Sequence, residues 1–460
     1  MRWATLLCAS YIFYMAWEPA YAVLIFASTV VDYVVGLKLG KSESLRTRKF
    51  LLLLSLTVNL GLLFAFKYFD FFRTVIADLT SFAGYAVQFP ELNVLLPVGI
   101  SFYTFQTLSY TIDVYRGDKD PERHFGVFAL YVSFFPQLVA GPIERSYRLL
   151  PQLNTAYRFQ YPDAVEGLQL ILWGLFKKMV IADSLAVVVD KVYGAPESYP
   201  GPVLLLATVF FAFQIYCDFS GYSDIAIGSA RMLGIRLMTN FNRPYSARSI
   251  QDFWQRWHIS LSTWFRDYVY IPLGGNKCSK VRWYTNLLIV FVLSGLWHGA
   301  NWTFLMWGLV HALLYLAWQM AAPVRETVRD RGPAAFYDIL SLMVTFLCVN
   351  LAWVFFRADS IGDAAFIFGH LHEGWSLVAR GDAGLSEISR LLDVSASSLQ
   401  FIGCMLGLLI VLEWLQKDGS LAEFLGKIPK PIRWGVYVAA TIIVFNEGTA
   451  REIPFVYFQF

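Results

Sequence analysis

Residues 294–311 read SGLWHGANWTFLMWGLVH, inside a 32-residue run from Leu287 to Trp318 that contains no Asp, Glu, Lys or Arg. A histidine in such surroundings needs a partner or a reason, because an apolar medium offers a polar group nothing to bond to. His298 is the side chain there best suited to taking a proton near neutral pH, a free imidazole titrating around pH 6.5. Gly299 permits close approach of a reacting group, and Asn301 can hydrogen-bond a ligand or a carbonyl. With Ser294 and Trp297 beside them, these residues point to a general base at a built site. A core histidine satisfied by a backbone carbonyl is the plainer alternative.

A second histidine, His258, follows Trp257 and lies close to Arg256 and Arg266. It could polarise or orient a carbonyl, or tune His298; an anchor for an interfacial helix is the alternative. In FQIYCDFSGYSDIAIG (213–228), Asp218 and Asp224 are ionisable groups in an otherwise apolar segment. Such groups usually face an interior cavity, and either could pair with Arg231, Arg236 or a histidine. Ser220 and Ser223 lack the G-x-S-x-G turn of a nucleophile elbow. His311 reads as structural, and His124, His370 and His372 fall at segment ends without a constellation.

What must position these residues follows from composition. The chain is 57% hydrophobic and 15% charged, against about 25% charged for an ordinary soluble domain. Apolar segments fall near 3–17, 19–37, 50–69, 92–112, 125–141, 165–193, 202–230, 285–298, 300–320, 336–356, 399–415 and 433–446. Spanning the hydrocarbon takes about 20 residues, so the expectation is an all-α polytopic membrane protein. It should have around ten crossings and a few re-entrant or interfacial pieces. The run from Leu287 to Trp318 would measure about 48 Å as one helix, well beyond the bilayer core. It should therefore break near Gly299, leaving His298 at a broken end. Trp254, Trp257, Leu261, Trp264 and Phe265 recur at helical spacing within 249–275, which predicts an amphipathic helix at the interface.

Charge is uneven. The loop from Lys38 to Lys49 carries five basic residues and one acidic, and Arg231 to Arg282 carries nine Lys/Arg and two Asp. Both belong on the cytoplasmic side by the excess of positive charge. The second segment, with Arg256, Arg266, Lys277 and Lys280, suits an anionic ligand such as coenzyme A or an acidic carrier protein. It suits anionic lipid headgroups equally. The five cysteines form no C-x-x-C pair, and no H-E-x-x-H, phosphate-binding loop or G-x-G-x-x-G occurs. No metal site, bound cofactor or nucleic-acid partner is expected. Nor is a cleavable signal peptide evident, so the N-terminal helix is expected to stay.

Four stretches carry a resemblance: FFPQLVAGPIER (134–145), YCDFSGYSDIAIGSARMLGI (216–235), NFNRPYSARSIQDFWQRWHISLSTWFRDYVYIPLGG (240–275) and LWHGANWTFLMWGLVH (296–311). They closely resemble the membrane-bound O-acyltransferase family, in its bacterial branch, and PFVYFQF (454–460) is similar to that branch's ending. Members of the branch usually begin with a further apolar helix ahead of the segment that starts here at Arg2, so either the start is placed late or that first helix is dispensable.

The resemblance implies a single membrane domain over 1–460, with a catalytic core near 90–320 and further helices over 335–460. It implies a central funnel, reached by an acyl donor from the cytoplasm and by an acceptor from the other side. The family's W-H-G histidine matches His298, and a second histidine of the F-W-x-R-W-H motif matches His258. The expected activity is transfer of acetyl, from acetyl-CoA or another thioester, towards an exported polysaccharide, most simply alginate. Expected partners are membrane lipids, extracytoplasmic relay acetyltransferases and an export complex, in the bacterial inner membrane. D-alanyl transfer to teichoic acid and acetylation of peptidoglycan or cellulose are the alternatives within the family. A proton-coupled transporter or flippase, and a non-catalytic scaffold for a polymer export complex, are the alternatives outside it.

Overall fold

The apolar runs become helices, interrupted where proline, glycine or a π-helical turn stops the regular ladder. The computed structural model describes residues 2–85, 90–92, 94–331, 333–416, 419–448 and 453–456, so the end of PFVYFQF (457–460) lies outside the described residues. Among the described residues there is no β-strand.

Helices α1 (Arg2–Met15) and α2 (Ala22–Lys41) come first. Helix α3 (Leu45–Leu63) continues through a π-helical turn at Phe64–Tyr68 into α4 (Phe69–Phe82). The apolar run 92–112 turns helical late, because Gly99 sits at φ 76 in the left-handed region and opens α5 (Ile100–Arg116). Pro136 divides the next run into α6 (Phe125–Ser133) and α7 (Phe135–Leu138), followed by α8 (Ser146–Asn154). Helix α9 (Tyr161–Leu175) passes through a second π turn, Phe176–Ala182, into α10 (Asp183–Tyr193). Helix α11 (Gly201–Met232) is buried along most of its length and packs against α9, α10 and α17.

Beyond it come α12 (Ile250–Arg256), α13 (Ile259–Phe265) and a third π turn at Arg266–Tyr270, then α14 (Lys280–His298) and α15 (Trp302–Met320). Next are α16 (Ala322–Arg331), α17 (Ala334–Arg357), α18 (Ile361–His370), α19 (Ser376–Ala379) and α20 (Asp382–Leu392). The chain closes with α21 (Ala396–Gln416), α22 (Leu421–Gly426) and α23 (Lys430–Gly448).

Six stretches among the described residues are long and apolar enough to cross a bilayer: Pro19–Lys41, Leu45–Phe82, Gly201–Met232, Trp302–Met320, Ala334–Arg357 and Ala396–Gln416. That is fewer than the ten or so crossings read from the sequence. Two of the shortfalls have a plain cause: α1 has 14 residues and α5 has 17.

Two large apolar cores form, one around α1, α2, α5, α6 and α8, the other around α10, α11, α12, α15 and α17. A third, smaller cluster lies between elements of both and includes Phe102, Phe105, Phe219, Trp264, Trp297 and Phe455. The polar centre described below is built on this seam.

The break expected near Gly299 is present: α14 ends at His298, and Asn301 caps α15 by accepting the Thr303 N–H at 3.1 Å. The two helices then run back against each other at glycine contacts. A Cβ on Gly295 would press into the Phe304 carbonyl oxygen, and one on Gly308 into that of Phe291. Backbone cannot yield as a side-chain tip can, and overpacking costs about 1–3 kcal/mol or more. Gly295→Val is accordingly expected to lower the apparent unfolding midpoint in detergent and to abolish activity, while Gly403→Val, with open space around it, leaves both unchanged. Equal midpoints for the two variants would contradict the close approach.

Candidate active site

Three elements set the site: the end of α14, the break between α12 and α13, and the π turn at Phe64–Tyr68. His298, the last residue of α14, is 2% exposed and is packed by Trp297, Trp307 and Phe356, with ring centroids at 5.0, 5.1 and 5.3 Å. The ring of His258 lies 6.3 Å from it, centroid to centroid. Residues 40 positions apart in the chain are thus brought together.

The segment 249–275 departs from the interfacial helix expected of it. Ser249 caps α12 by accepting the Asp252 N–H at 2.9 Å, but the helix stops at Trp257, and His258 takes a left-handed conformation at φ 42. Trp257, Leu261, Trp264 and Phe265 are all buried in protein, so their helical spacing reflects core packing and not a lipid-facing stripe. A left-handed non-glycine residue costs of order 1–2 kcal/mol. Here Asn240 fixes it: its Oδ1 accepts from the Ser260 N–H at 3.2 Å and the Ser260 hydroxyl at 2.9 Å, and faces His258 Nδ1 at 3.1 Å.

Those contacts settle the His258 tautomer. An Asn oxygen already accepting a backbone N–H can only accept from the imidazole, so Nδ1 carries the proton and Nε2 of the neutral ring is an acceptor. Nε2 has no hydrogen-bond partner among the described residues. Of the roles read for this ring from the sequence, polarising a carbonyl by donating to it does not suit that arrangement, whereas orienting a reacting group does.

The loop bearing Asn240 is held in turn by Glu144, which is fully buried and accepts the Met238 N–H. Burial pushes the Glu144 carboxyl from an ordinary value of 4.5 up to about 7. Between those values the folded chain keeps a proton that the unfolded chain has lost, so stability falls as pH rises through this window. Glu144→Gln should therefore raise the apparent unfolding midpoint at pH 8 and leave it nearly unchanged at pH 4. A midpoint lowered at pH 8 would refute the protonation argument.

Three cavities adjoin the centre. One, with about 670 Å³ of empty space including its mouth, is lined by His298, Trp297, Lys67, Phe102 and Phe455. A second, with about 1300 Å³ of empty space including its mouth, shares Lys67 and Leu96 with it and is lined by Asn301, Thr303, Phe356 and Arg357. A third, with about 1270 Å³ of empty space including its mouth, is lined by Trp254, Ser262, Arg266, Tyr270 and Ser294. Ser294 lies one turn before His298 on α14, and residues four apart share a helix face. One face of α14 therefore leads from the third cavity to His298 and the first.

Other residues singled out from the sequence are placed as follows. Asn301 lines the second cavity, but both ends of its side chain are engaged, the amide nitrogen donating to the Asp359 carbonyl at 3.2 Å. Arg266 lines the third cavity and pairs with Asp267 at 2.8 Å. Arg256 pairs with Asp252 at 2.6 Å, and it, Lys277 and Lys280 line none of these three cavities. Asp218 is absent from the cavity walls too. It does not pair with Arg231, Arg236 or a histidine: its carboxylate meets Lys178 at 2.7 Å and accepts the Val456 N–H at 2.7 Å. Asp224 likewise meets Lys177 at 2.7 Å, and Arg231 is taken by Asp163 and Glu166.

Lys67 was not singled out from the sequence. It is the one Asp, Glu, Lys or Arg between Phe50 and Phe69, which is the signal that could have found it. Its ammonium donates to the carbonyl oxygens of Trp297 and His298 at 2.8 and 2.9 Å. Among the described residues no three His, Cys, Asp or Glu side chains are grouped to hold a metal ion.

A buried histidine lining a cavity, with a second buried histidine 6.3 Å away, suits proton transfer in acyl chemistry, and the comparisons decide the family. The profile of the membrane-bound O-acyltransferase family matches residues 124–356. A probable alginate O-acetylase, AlgI, of Pseudomonas syringae pv. tomato is 42% identical over 392 residues, 84% of this chain and 71% of the relative. The chain belongs to the membrane-bound O-acyltransferase family. It is an O-acyltransferase and a polytopic membrane protein. The peptidoglycan O-acetyltransferase of Helicobacter pylori is 38% identical over 387 residues, 78% of this chain and 71% of that protein. The teichoic acid D-alanyltransferase of Bacillus subtilis is 28% identical over 279 residues, 58% of this chain and 70% of that one. The matched span of the O-acyltransferase profile contains both histidines, Ser294, Asn301 and the loop of Asn240; Lys67 lies before it.

Proposed function

We propose that this O-acyltransferase moves an acetyl group from a cytoplasmic thioester, acetyl-CoA, to a hydroxyl presented from the opposite side of the inner membrane, for O-acetylation of an exported polysaccharide, alginate. One observation carries the reading: a single buried histidine lines one cavity while its own helix face leads to another that holds Arg266. A base in that position can serve a donor and an acceptor that enter from different sides.

The chemistry follows from the groups present. A His298 ring nitrogen takes the proton of the acceptor hydroxyl as its oxygen attacks the thioester carbonyl carbon. The carbonyl π pair moves to oxygen; on collapse the C–S bond breaks, and the thiolate receives the proton held by His298. The products are an ester and a free thiol. His258, with Nε2 as an acceptor, orients the reacting groups. Arg266 attracts the anionic donor, and the basic segment 231–282 with the loop 38–49 marks the cytoplasmic side by its charge. Lys277 and Lys280 contribute to that general attraction only. The acceptor is the polysaccharide itself or a hydroxyl of an extracytoplasmic relay acetyltransferase that belongs to the export complex.

Acetyl in place of D-alanyl is favoured by the relatives, at 42% and 28% identity respectively. The test is a proteoliposome assay with acetyl-CoA inside and alginate outside, with the relay acetyltransferases added. Equimolar release of thiol and formation of acetyl ester on the polymer is the expected result. Acetyl ester on peptidoglycan fragments but not on alginate would move the acceptor. Thiol release absent from folded, correctly inserted protein would overturn the acyltransfer reading, as a transporter or flippase requires.

A further inference from the structure

We propose that Lys67 is a catalytic residue whose ammonium hydrogen-bonds the carbonyl oxygen that becomes negatively charged during acyl transfer. The inference rests on the acyltransfer reading above and adds a residue to it.

An ammonium has three N–H donors. Two of those of Lys67 are spent on the Trp297 and His298 carbonyl oxygens, at 2.8 and 2.9 Å. These contacts fix Nζ at the end of α14, beside the residue that takes the proton. Lys67 lines the cavity that His298 lines and also the neighbouring one that reaches Asn301. Among the described residues no carboxylate pairs with it, and Nζ lies over the Trp297 ring, 5.8 Å from the ring centroid.

Lys67 is partly buried and opens onto these cavities, and a cation drawn into such surroundings without an anion beside it is costly to maintain. Two buried lysines, Lys177 and Lys178, each have a carboxylate at 2.7 Å. Lys67 differs from them in that respect and in facing two cavities. The reaction itself supplies the missing anion, on the oxygen of the tetrahedral intermediate. Donors fixed in advance at that position are what stabilises such an oxygen. The competing donor, His258, presents an acceptor nitrogen and cannot serve.

The local backbone fits the assignment. Lys67 sits on the π-helical turn Phe64–Tyr68, in the middle of an otherwise α-helical rod. Such single-turn bulges shift the side-chain register and recur at functional sites. In the step itself the hydroxyl oxygen forms the C–O bond, the π pair moves to the carbonyl oxygen, and Lys67 donates a hydrogen bond to it without giving up its proton. When the pair returns, the C–S bond breaks and the thiolate leaves with the proton from His298.

The test compares Lys67→Gln and Lys67→Met with wild type in the proteoliposome assay, reading kcat and donor KM separately, with folded protein quantified by size-exclusion fluorescence. Gln retains N–H donors for the two carbonyls but no charge. The expected result for both variants is a kcat lower by about 10²–10³-fold, the range for loss of one oxyanion donor, with donor KM within about threefold of wild type. Lys67→Gln at nearly wild-type kcat would assign Lys67 to holding the helix end and overturn the proposal. A rise in KM alone would assign it to ligand binding, with the same consequence. Activity lost only in proportion to folded protein would overturn it too. If wild type itself released no thiol, the acyltransfer reading would fall first, which distinguishes the two failures.

Discussion

His298→Ala is expected to lower the initial rate of acyl transfer by about 10²–10⁴-fold, the usual worth of a positioned general base, in protein that still inserts. The argument is geometric. His298 ends α14 at a cavity, Ser294 on the same face lines another, and the two backbone carbonyls at that end are fixed by Lys67. Removing the ring deletes the base and leaves this frame in place. Some packing is lost as well, because Trp307 and Phe356 pack edge-on against the imidazole. His298→Gln, which fills more of the space without being a base at neutral pH, separates the two effects. Both variants should lose rate to that extent, and Gln should show the higher unfolding midpoint. The measurements are thiol release per folded molecule and acetyl ester content of polysaccharide at equal membrane abundance. Full activity in either variant would remove His298 from the mechanism.

The second large effect falls on stability, at the buried ion cluster behind the site. Lys178 meets Asp183 and Asp218, each at 2.7 Å, and donates to the Ile453 carbonyl at 3.2 Å. Asp218 in turn holds the Val456 N–H. The cluster therefore ties α11 and the π turn before α10 to the C-terminal segment, which delivers Phe455 to the first cavity. Removing one partner of a buried pair leaves the other charge uncompensated, at a cost of about 3–5 kcal/mol. Lys178→Met is expected to incur that cost and to yield little monodisperse protein. Asp218→Asn should be milder, since the amide oxygen still accepts from Val456 and Asp183 stays beside Lys178. Lys178→Met combined with Asp218→Asn should recover part of the loss. Size-exclusion profiles and apparent unfolding midpoints of the three variants check this order. A single Lys178→Met variant as stable as wild type would show that the cluster is not needed for folding.

Much of this protein was legible in its sequence because the bilayer is a severe solvent. A 32-residue uncharged run exceeds the hydrocarbon thickness, so the break between His298 and Trp302 followed from length alone, and the histidine was marked by its apolar surroundings. The family followed from long motifs that hold both histidines.

Where a local pattern admits two environments, the tertiary structure decided. Aromatic residues at helical spacing around His258 look the same on a lipid interface and inside a core; only the packing of Trp257, Leu261 and Trp264 in protein distinguishes them. The partners of Asp218 and Asp224 were out of reach for a similar reason. They are set by a π turn on a neighbouring stretch that brings two consecutive lysines to α11, and no periodicity announces such a turn. Lys67 is the extreme case. Its partners lie 230 and 231 residues away, and only the folded chain brings an isolated cation in an apolar helix to the carbonyls of the His298 turn. Sequence determines which side chains cannot rest in lipid without a reason; the reason is a neighbour, and neighbours are assigned by the fold.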